Sequence, residues 1–245
     1  MTDGLEVALI AVAALWGAAA GAVLPRAAHR FSVPAGEEWR TACPQGHQLA
    51  GWLGPARCRA CAGAPYGKGA AVPVTVTALV CAALAAATGT RPELAVWLLL
   101  APAGVLLATV DFRVQRLPDP LTLPFAATAL VLLGLTALVP EHAGEWTDAL
   151  LGALALGAGY FVLFLVNPSG MGFGDVKLAL GAGAVLGWYG WPTVLLGTLA
   201  GFLLGALYGG ALVVARKAGR KTSVPFGPFL IGGAFAGLLM GAYAA

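Results

Sequence analysis

Eight apolar stretches leave this chain one broad class of fold. They lie near residues 5–24, 72–89, 93–110, 121–139, 148–166, 176–190, 192–215 and 226–244. Crossing ~30 Å of hydrocarbon takes roughly 20 helical residues, so each stretch is long enough or nearly so. Inside a bilayer every backbone polar group must be satisfied by the protein, and uninterrupted apolar runs of this length do so as helices. The 10% charged fraction agrees, since a soluble domain carries about 25%. The expectation is an all-α polytopic membrane protein with about eight transmembrane helices in the lipid bilayer. The sixth stretch is short and carries Gly181, Gly183 and Gly187, so its ends are the least defined. Gly17 with Gly21, and Gly201 with Gly205, are spaced as small-residue packing faces. A net charge of only +3 argues against nucleic acid as a partner.

The basic residues give an orientation. Arg26, Arg30, Arg40, Arg57, Arg59 and Lys68 lie in the first loop, Arg113 and Arg116 in the third, and Lys177 beside the fifth. Arg216, Lys217, Arg220 and Lys221 lie in the seventh. Of 14 basic residues only Arg91 falls on the opposite side. The positive-inside rule then makes the odd-numbered loops cytoplasmic and both termini extracytoplasmic. The first span, with Asp3 and Glu6 before it and basic residues after it, does not read as a cleavable signal peptide.

Three regions follow: a first transmembrane helix over 1–24, a polar loop over 25–71 and a membrane-embedded region over 72–245. The loop shows no sustained hydrophobic period and is too short to bury a core without a staple. It offers one. Cys43, His47, Cys58 and Cys61 form a C-x3-H and a C-x2-C pair ten residues apart. Thiolates and imidazole on short turns are the ligands tetrahedral zinc prefers. The competing reading is three free thiols and a surface histidine. Cys81, inside the second span, reads as an apolar filler. Glu141, His142 and Glu145, between the fourth and fifth spans, read as solvated loop residues.

Two acids demand a further explanation. Asp111 closes the third span, and Asp175 opens the sixth after Gly170-Met-Gly172-Phe-Gly174. A carboxylate at the edge of an apolar span is expensive and points to function. Both fall on the same side and at the same depth. Two carboxylates brought within a few ångströms share one proton: the ionised one can draw a proton from water and the protonated one can donate to a carbonyl. That is general acid–base hydrolysis with no metal and no covalent intermediate. Gly172 and Gly174 would let an extended backbone come close. The alternative is ordinary interfacial ion pairing, Asp111 with Arg113 or Arg116 and Asp175 with Lys177. Asp119, between Pro118 and Pro120, reads equally as a cap of the fourth helix or as an accessory acid. A membrane transporter with an Asp111–Asp175 proton or cation relay, and a structural subunit without chemistry, are readings from other classes.

Taken together, Gly172-Phe-Gly174-Asp175 with Lys177 after it, Asp111 with Leu117-Pro118-Asp119, and Pro225-Phe-Gly227-Pro228 resemble the three signature regions of type IV prepilin peptidases. That family is made of GxGD-type membrane aspartic proteases. The resemblance covers the membrane part in order. It implies catalytic aspartates at Asp111 and Asp175, with Asp119 at a position the family also fills with Asn. It implies a prepilin or type II secretion pseudopilin as substrate. Cleavage would fall at the cytoplasmic face of a bacterial inner membrane, after a glycine that precedes the pilin's apolar helix. Many bacterial members also methylate the new N-terminus with S-adenosylmethionine, an activity placed in the first loop. There the family usually carries two C-x2-C pairs, and His47 stands here in place of one cysteine.

Overall fold

The computed structural model describes residues 2–66, 71–168, 170–215 and 224–245. Lys68, Ser169 and the basic run from Arg216 to Lys221 lie outside them. The described residues form eight helices: α1 (Thr2–Phe31), α2 (Ala71–Thr88), α3 (Glu93–Val114), α4 (Asp119–Thr136), α5 (Trp146–Val166), α6 (Phe173–Gly187), α7 (Trp191–Val214) and α8 (Gly227–Ala244). All but α6 are long and apolar enough to cross a membrane. The chain is a multi-pass, all-helical membrane protein.

Several helix ends depart from the sequence expectation. α1 continues past residue 24 to Phe31, because its last turns find partners in the loop. Arg26 donates to the carbonyls of Ala50 and Leu53, and Arg30 to that of Gly51. α3 runs one turn beyond Asp111 and stops at Gln115, whose left-handed conformation returns its N–H to the Asp111 carbonyl. α6 begins at Phe173, three residues earlier than expected.

The helices pair mainly as sequential antiparallel hairpins, α1 with α2, α5 with α6 and α7 with α8. Glycines set the spacing. A methyl group at Gly17 would stand 2.5 Å from the Thr77 carbonyl oxygen, and one at Gly21 2.6 Å from that of Pro73. Gly152 faces Gly183 in the same way across α5 and α6, and Gly197 faces Gly233 and Gly237 across α7 and α8. With no hydrophobic drive between helices in lipid, such backbone approach supplies the packing. α6 sits at the centre, against α4, α5, α7 and α8, and residues 181–188 are buried all round. By contrast α7 turns Leu195, Leu199, Leu203 and Leu207 outward, as a lipid-facing helix does.

The two ends of the bundle differ. At one end the first loop folds back on α1 and the α3–α4 connection. Phe31 stacks on Trp52 and meets Trp39 edge-on, while the Arg116 guanidinium covers the Trp39 ring at 4.2 Å. At the other end Glu93 is fully buried. Its carboxylate accepts hydrogen bonds from the Tyr189 hydroxyl and the Ala143 amide. Arg91 ties the same corner to α8 through the Ala242 carbonyl. His142 packs against Trp188 there, so this loop is more tightly held than a solvated one. Cys81 is a buried core filler.

Gly183→Val tests the packing. Its side chain would enter the Gly152 and Ala153 backbone, which has no room to give. We expect a loss of about 1–3 kcal/mol or more, as for other overpacked cores, seen as a lower melting temperature in mild detergent. Gly210→Ala, where nothing lies within 4 Å, should leave it unchanged.

Candidate active site

Asp111 and Asp175 end up at the same end of the bundle, each seated on the first turn of a helix. Asp175 is the third residue of α6, and its Oδ2 accepts the Gly172 N–H at 3.1 Å. Asp111 stands on α3 but reaches across to α8, where its Oδ2 accepts the Gly227 N–H at 3.0 Å. Helix N-termini carry unpaired N–H groups and a positive partial charge, so both seats favour an anion. The α3 C-terminus by itself disfavours one at Asp111; the N-terminus of α8 reverses that. The carboxylates are 4% and 6% exposed. Among the described residues, Oδ1 of Asp175 is buried without a hydrogen-bond partner.

Leu117 joins the two seats. A methyl group on Gly174 would stand 2.7 Å from Leu117 Cβ. One on Gly227 would stand 3.3 Å from Leu117 Cδ1 and 2.8 Å from Asp111 Oδ2. About one leucine side chain therefore separates the first turn of α6 from the carboxylate of Asp111. Two glycines make this approach possible. Gly174 admits Leu117, and Gly227 admits Asp111; Gly172 supplies the N–H that holds Asp175.

Two of the expected ion pairs, Asp175 with Lys177 and Asp111 with Arg116, do not form. Lys177 bonds Asp119 at 2.6 Å, not Asp175, and lies 5.0 Å from the centre of the Phe173 ring. Arg116 donates to the carbonyls of Pro34 and Glu37. Nor is Asp119 a side-chain cap. Pro118 occupies the cap position and Asp119 is the first residue of α4, 59% exposed on its side chain. Its observed role is to join α4 to α6 through Lys177. Gly227 and Leu117 lie inside the signature motifs, where spacing alone gives them no role. The sequence signal for Gly227 was a glycine between prolines at the start of a span.

The Cys/His group assembles as its spacing suggested. The ligand atoms of Cys43, His47, Cys58 and Cys61 all lie within 4.8 Å of one another. Cys43 Sγ is 3.6 Å from His47 Nδ1 and 4.0 Å from Cys61 Sγ, and His47 Nδ1 is 3.2 Å from Cys61 Sγ. A tetrahedron with bonds of about 2.0–2.3 Å has edges of roughly 3.3–3.8 Å, so the set fits a metal of that size. Burial opposes ionisation of Cys43. Hydrogen bonds from the His47 and Gln45 backbone and the His47 ring nonetheless bring its thiol down to about 6. Burial, then the Cys58 and Cys43 sulfurs, push Cys61 up to about 11. A cation among them would relieve that crowding by taking the place of the shared protons.

Comparison with known proteins converges on one family. Residues 94–210 match the family model described as the type IV leader peptidase family. The chain is 35% identical over 202 residues to a prepilin leader peptidase/N-methyltransferase of Aeromonas salmonicida, covering 78% of this chain and 64% of that protein. It is 34% identical over 220 residues to the protein of the same name from Pseudomonas aeruginosa, covering 82% and 71%. For that of Escherichia coli the figures are 37% over 134 residues, 51% and 53%. The chain thus spans somewhat less than two thirds of the length of its Aeromonas relatives. No solved structure matches it.

The exposed Asp119–Lys177 pair should contribute little to stability. A double-mutant cycle with Asp119→Asn and Lys177→Met, read as thermal unfolding in detergent, should give a coupling of at most about 1 kcal/mol.

Proposed function

Because the chain belongs to the type IV leader peptidase family, we propose that it is a membrane aspartic endopeptidase that removes the leader peptide of type IV prepilins or related pseudopilins. The observation that carries the reading is the pair of buried carboxylates, Asp111 and Asp175, seated on two helix N-termini one leucine apart. Hydrolysis needs one of them protonated and the other ionised, and two close acids in a poorly hydrated site divide one proton in that way. The ionised carboxylate takes a proton from water as the water oxygen attacks the scissile carbonyl. The protonated one donates toward the carbonyl oxygen, and a proton then passes to the leaving amine as the C–N bond breaks. Gly172 and Gly174 keep the approach to Asp175 free of side chains.

An apolar cleft of about 650 Å³ runs between α2, α3, α6 and α8; its lining reaches the residues next to Asp111 and Gly227 without including either carboxylate. Val76, Gly104, Ala108, Phe112, Pro228 and Ile231 help to line it, and Phe112 and Pro228 directly follow Asp111 and Gly227. Such a cleft suits a substrate whose cut site borders an apolar helix. In this reading the chain lies in a bacterial inner membrane. The carboxylates and the Cys/His loop face the cytoplasm, and the free ends of α1 and α8 face out; the Lys/Arg distribution supports that orientation.

Zinc is the metal that Cys43, His47, Cys58 and Cys61 would hold, and its chemistry there is cross-linking of the loop. The loop packs against α1 and, through Trp39 and Arg116, against the connection that follows Asp111, so the staple also steadies the site. The relatives' second named activity, N-methyl transfer, would draw on S-adenosylmethionine; no step of it is derived from these side chains.

Two experiments test the reading. With a purified prepilin in detergent or vesicles, Asp111→Asn and Asp175→Asn should each lower cleavage by at least about 10²–10⁴-fold while the protein stays inserted and folded. Gly227→Ala, which crowds Asp111, should lower kcat by about tenfold to a hundredfold. Retained cleavage in either aspartate variant would refute the dyad. Elemental analysis should find about one zinc per chain, falling below about half after Cys58→Ser.

A further inference from the structure

Tyr160 carries a feature that packing does not explain. α5 and α6 run antiparallel in a fixed register. The Asp148 carbonyl faces Gly187, Gly152 faces Gly183, and Gly157 faces the Leu180 side chain. One more turn along α5 reaches Tyr160, and one more turn back along α6 reaches Val176 and Asp175. The ring of Tyr160 is stacked on Phe202 at 5.8 Å and tilted against Phe226 at 5.9 Å. Phe226 precedes Gly227, the residue whose N–H holds Asp111. Tyr160 thus stands level with one carboxylate and against the seat of the other.

The side chain is 2% exposed, and its hydroxyl has no hydrogen-bond partner among the described residues. Oδ1 of Asp175 is buried and unpaired in the same way. A phenylalanine would fill the ring's place without leaving a buried hydroxyl unsatisfied, which is costly. An open donor on α5 and an open acceptor on α6, brought level by the register of the two helices, suit a ligand that uses both. Hydrolysis brings one: an attacking water for the acceptor, and a carbonyl oxygen gaining negative charge for the donor.

Resting on the peptidase reading, we propose that the Tyr160 hydroxyl is a catalytic hydrogen-bond donor to the carbonyl oxygen of the scissile peptide. As the water oxygen bonds to the carbonyl carbon, the π electrons of the C=O bond move onto the carbonyl oxygen, and Tyr160 O–H donates to it without giving up its proton. The water's proton goes to the ionised carboxylate. When the C–N bond breaks, the electrons return to restore the carbonyl and the amine leaves with a proton from the acid. Preorganised donors of this kind act on kcat more than on binding. Around the phenol, α6 contributes Asp175, and Asp111 approaches through Gly227. α7 contributes the ring of Phe202, the residue preceding α8 that of Phe226, and Lys177 is held by Asp119.

The test uses the full chain in detergent or vesicles with a purified prepilin. Tyr160→Phe should lower kcat about 10²–10³-fold, with KM within about twofold of the parent and a melting temperature no lower than the parent's. A kcat within about threefold of the parent, or an effect confined to KM, overturns the proposal. As a second readout, 3,5-difluorotyrosine at position 160 keeps the shape but ionises more readily. The alkaline loss of kcat should then move to lower pH, and an unmoved profile overturns the proposal. Failure of the parent chain to cleave would sink the peptidase reading itself, whereas normal cleavage by the Phe variant sinks only the role of Tyr160.

Discussion

A carboxylate removed from water loses hydration worth several kcal/mol unless the protein replaces it. Asp111 and Asp175 replace part of theirs with one backbone N–H each, at the first turn of α8 and of α6. Much of the surrounding structure answers to that requirement. The N–H of Gly227 can reach Asp111 only because no side chain stands between them. Leu117 can bridge the two seats only because Gly174 leaves room. The α3 helix must continue past Asp111 so that the side chain projects toward α8 and not into the connection that follows.

The same economy of side chains holds the bundle together. α6 carries Asp175 and is buried against four other helices. Its glycines meet the α5 backbone directly, which fixes the rotation and depth of the helix. A helix free to turn by one residue would swing Asp175 through roughly 100° and out of the site. Small-residue packing and the geometry of the carboxylate pair are therefore one constraint. The Asp119–Lys177 pair adds a tether between α4 and α6 at the water-facing end, where its exposure limits its strength.

The Cys/His loop packs on the same end of the bundle as the carboxylate pair. It has a small core of its own, Cys43, Ala56, Cys58 and Tyr66. Its anchors are Arg26 and Arg30 on α1 and Arg116 after α3. The basic residues that suggested an orientation thus also hold the loop: their long side chains span the gap between a helix end and carbonyls that no strand or helix satisfies. The contrast with the Glu93 corner is instructive. There a buried acid is tied to Tyr189 and Ala143 on other segments, with Arg91 close by, and it closes the end of the bundle remote from the carboxylate pair.

The apolar runs alone determined the class of fold and nearly all the helices, since a bilayer offers a backbone so few ways to be satisfied. The Cys/His spacing determined a metal-ligand set, because ligands a few residues apart on turns are close in any fold. What the sequence left open was every question of partnership between distant segments. Whether Lys177 serves Asp175 or Asp119, what offsets the charge of Asp111, and why a glycine stands between Pro225-Phe and Pro228 depended on which helices meet and at what rotation. Tyr160 was invisible for the same reason: on its own helix it is one more apolar-run aromatic, and only the register of α5 against α6 sets it level with Asp175. Local chemistry is written along the chain, whereas a site built from α3, α5, α6 and α8 exists only once side-chain volume has decided how closely those helices approach.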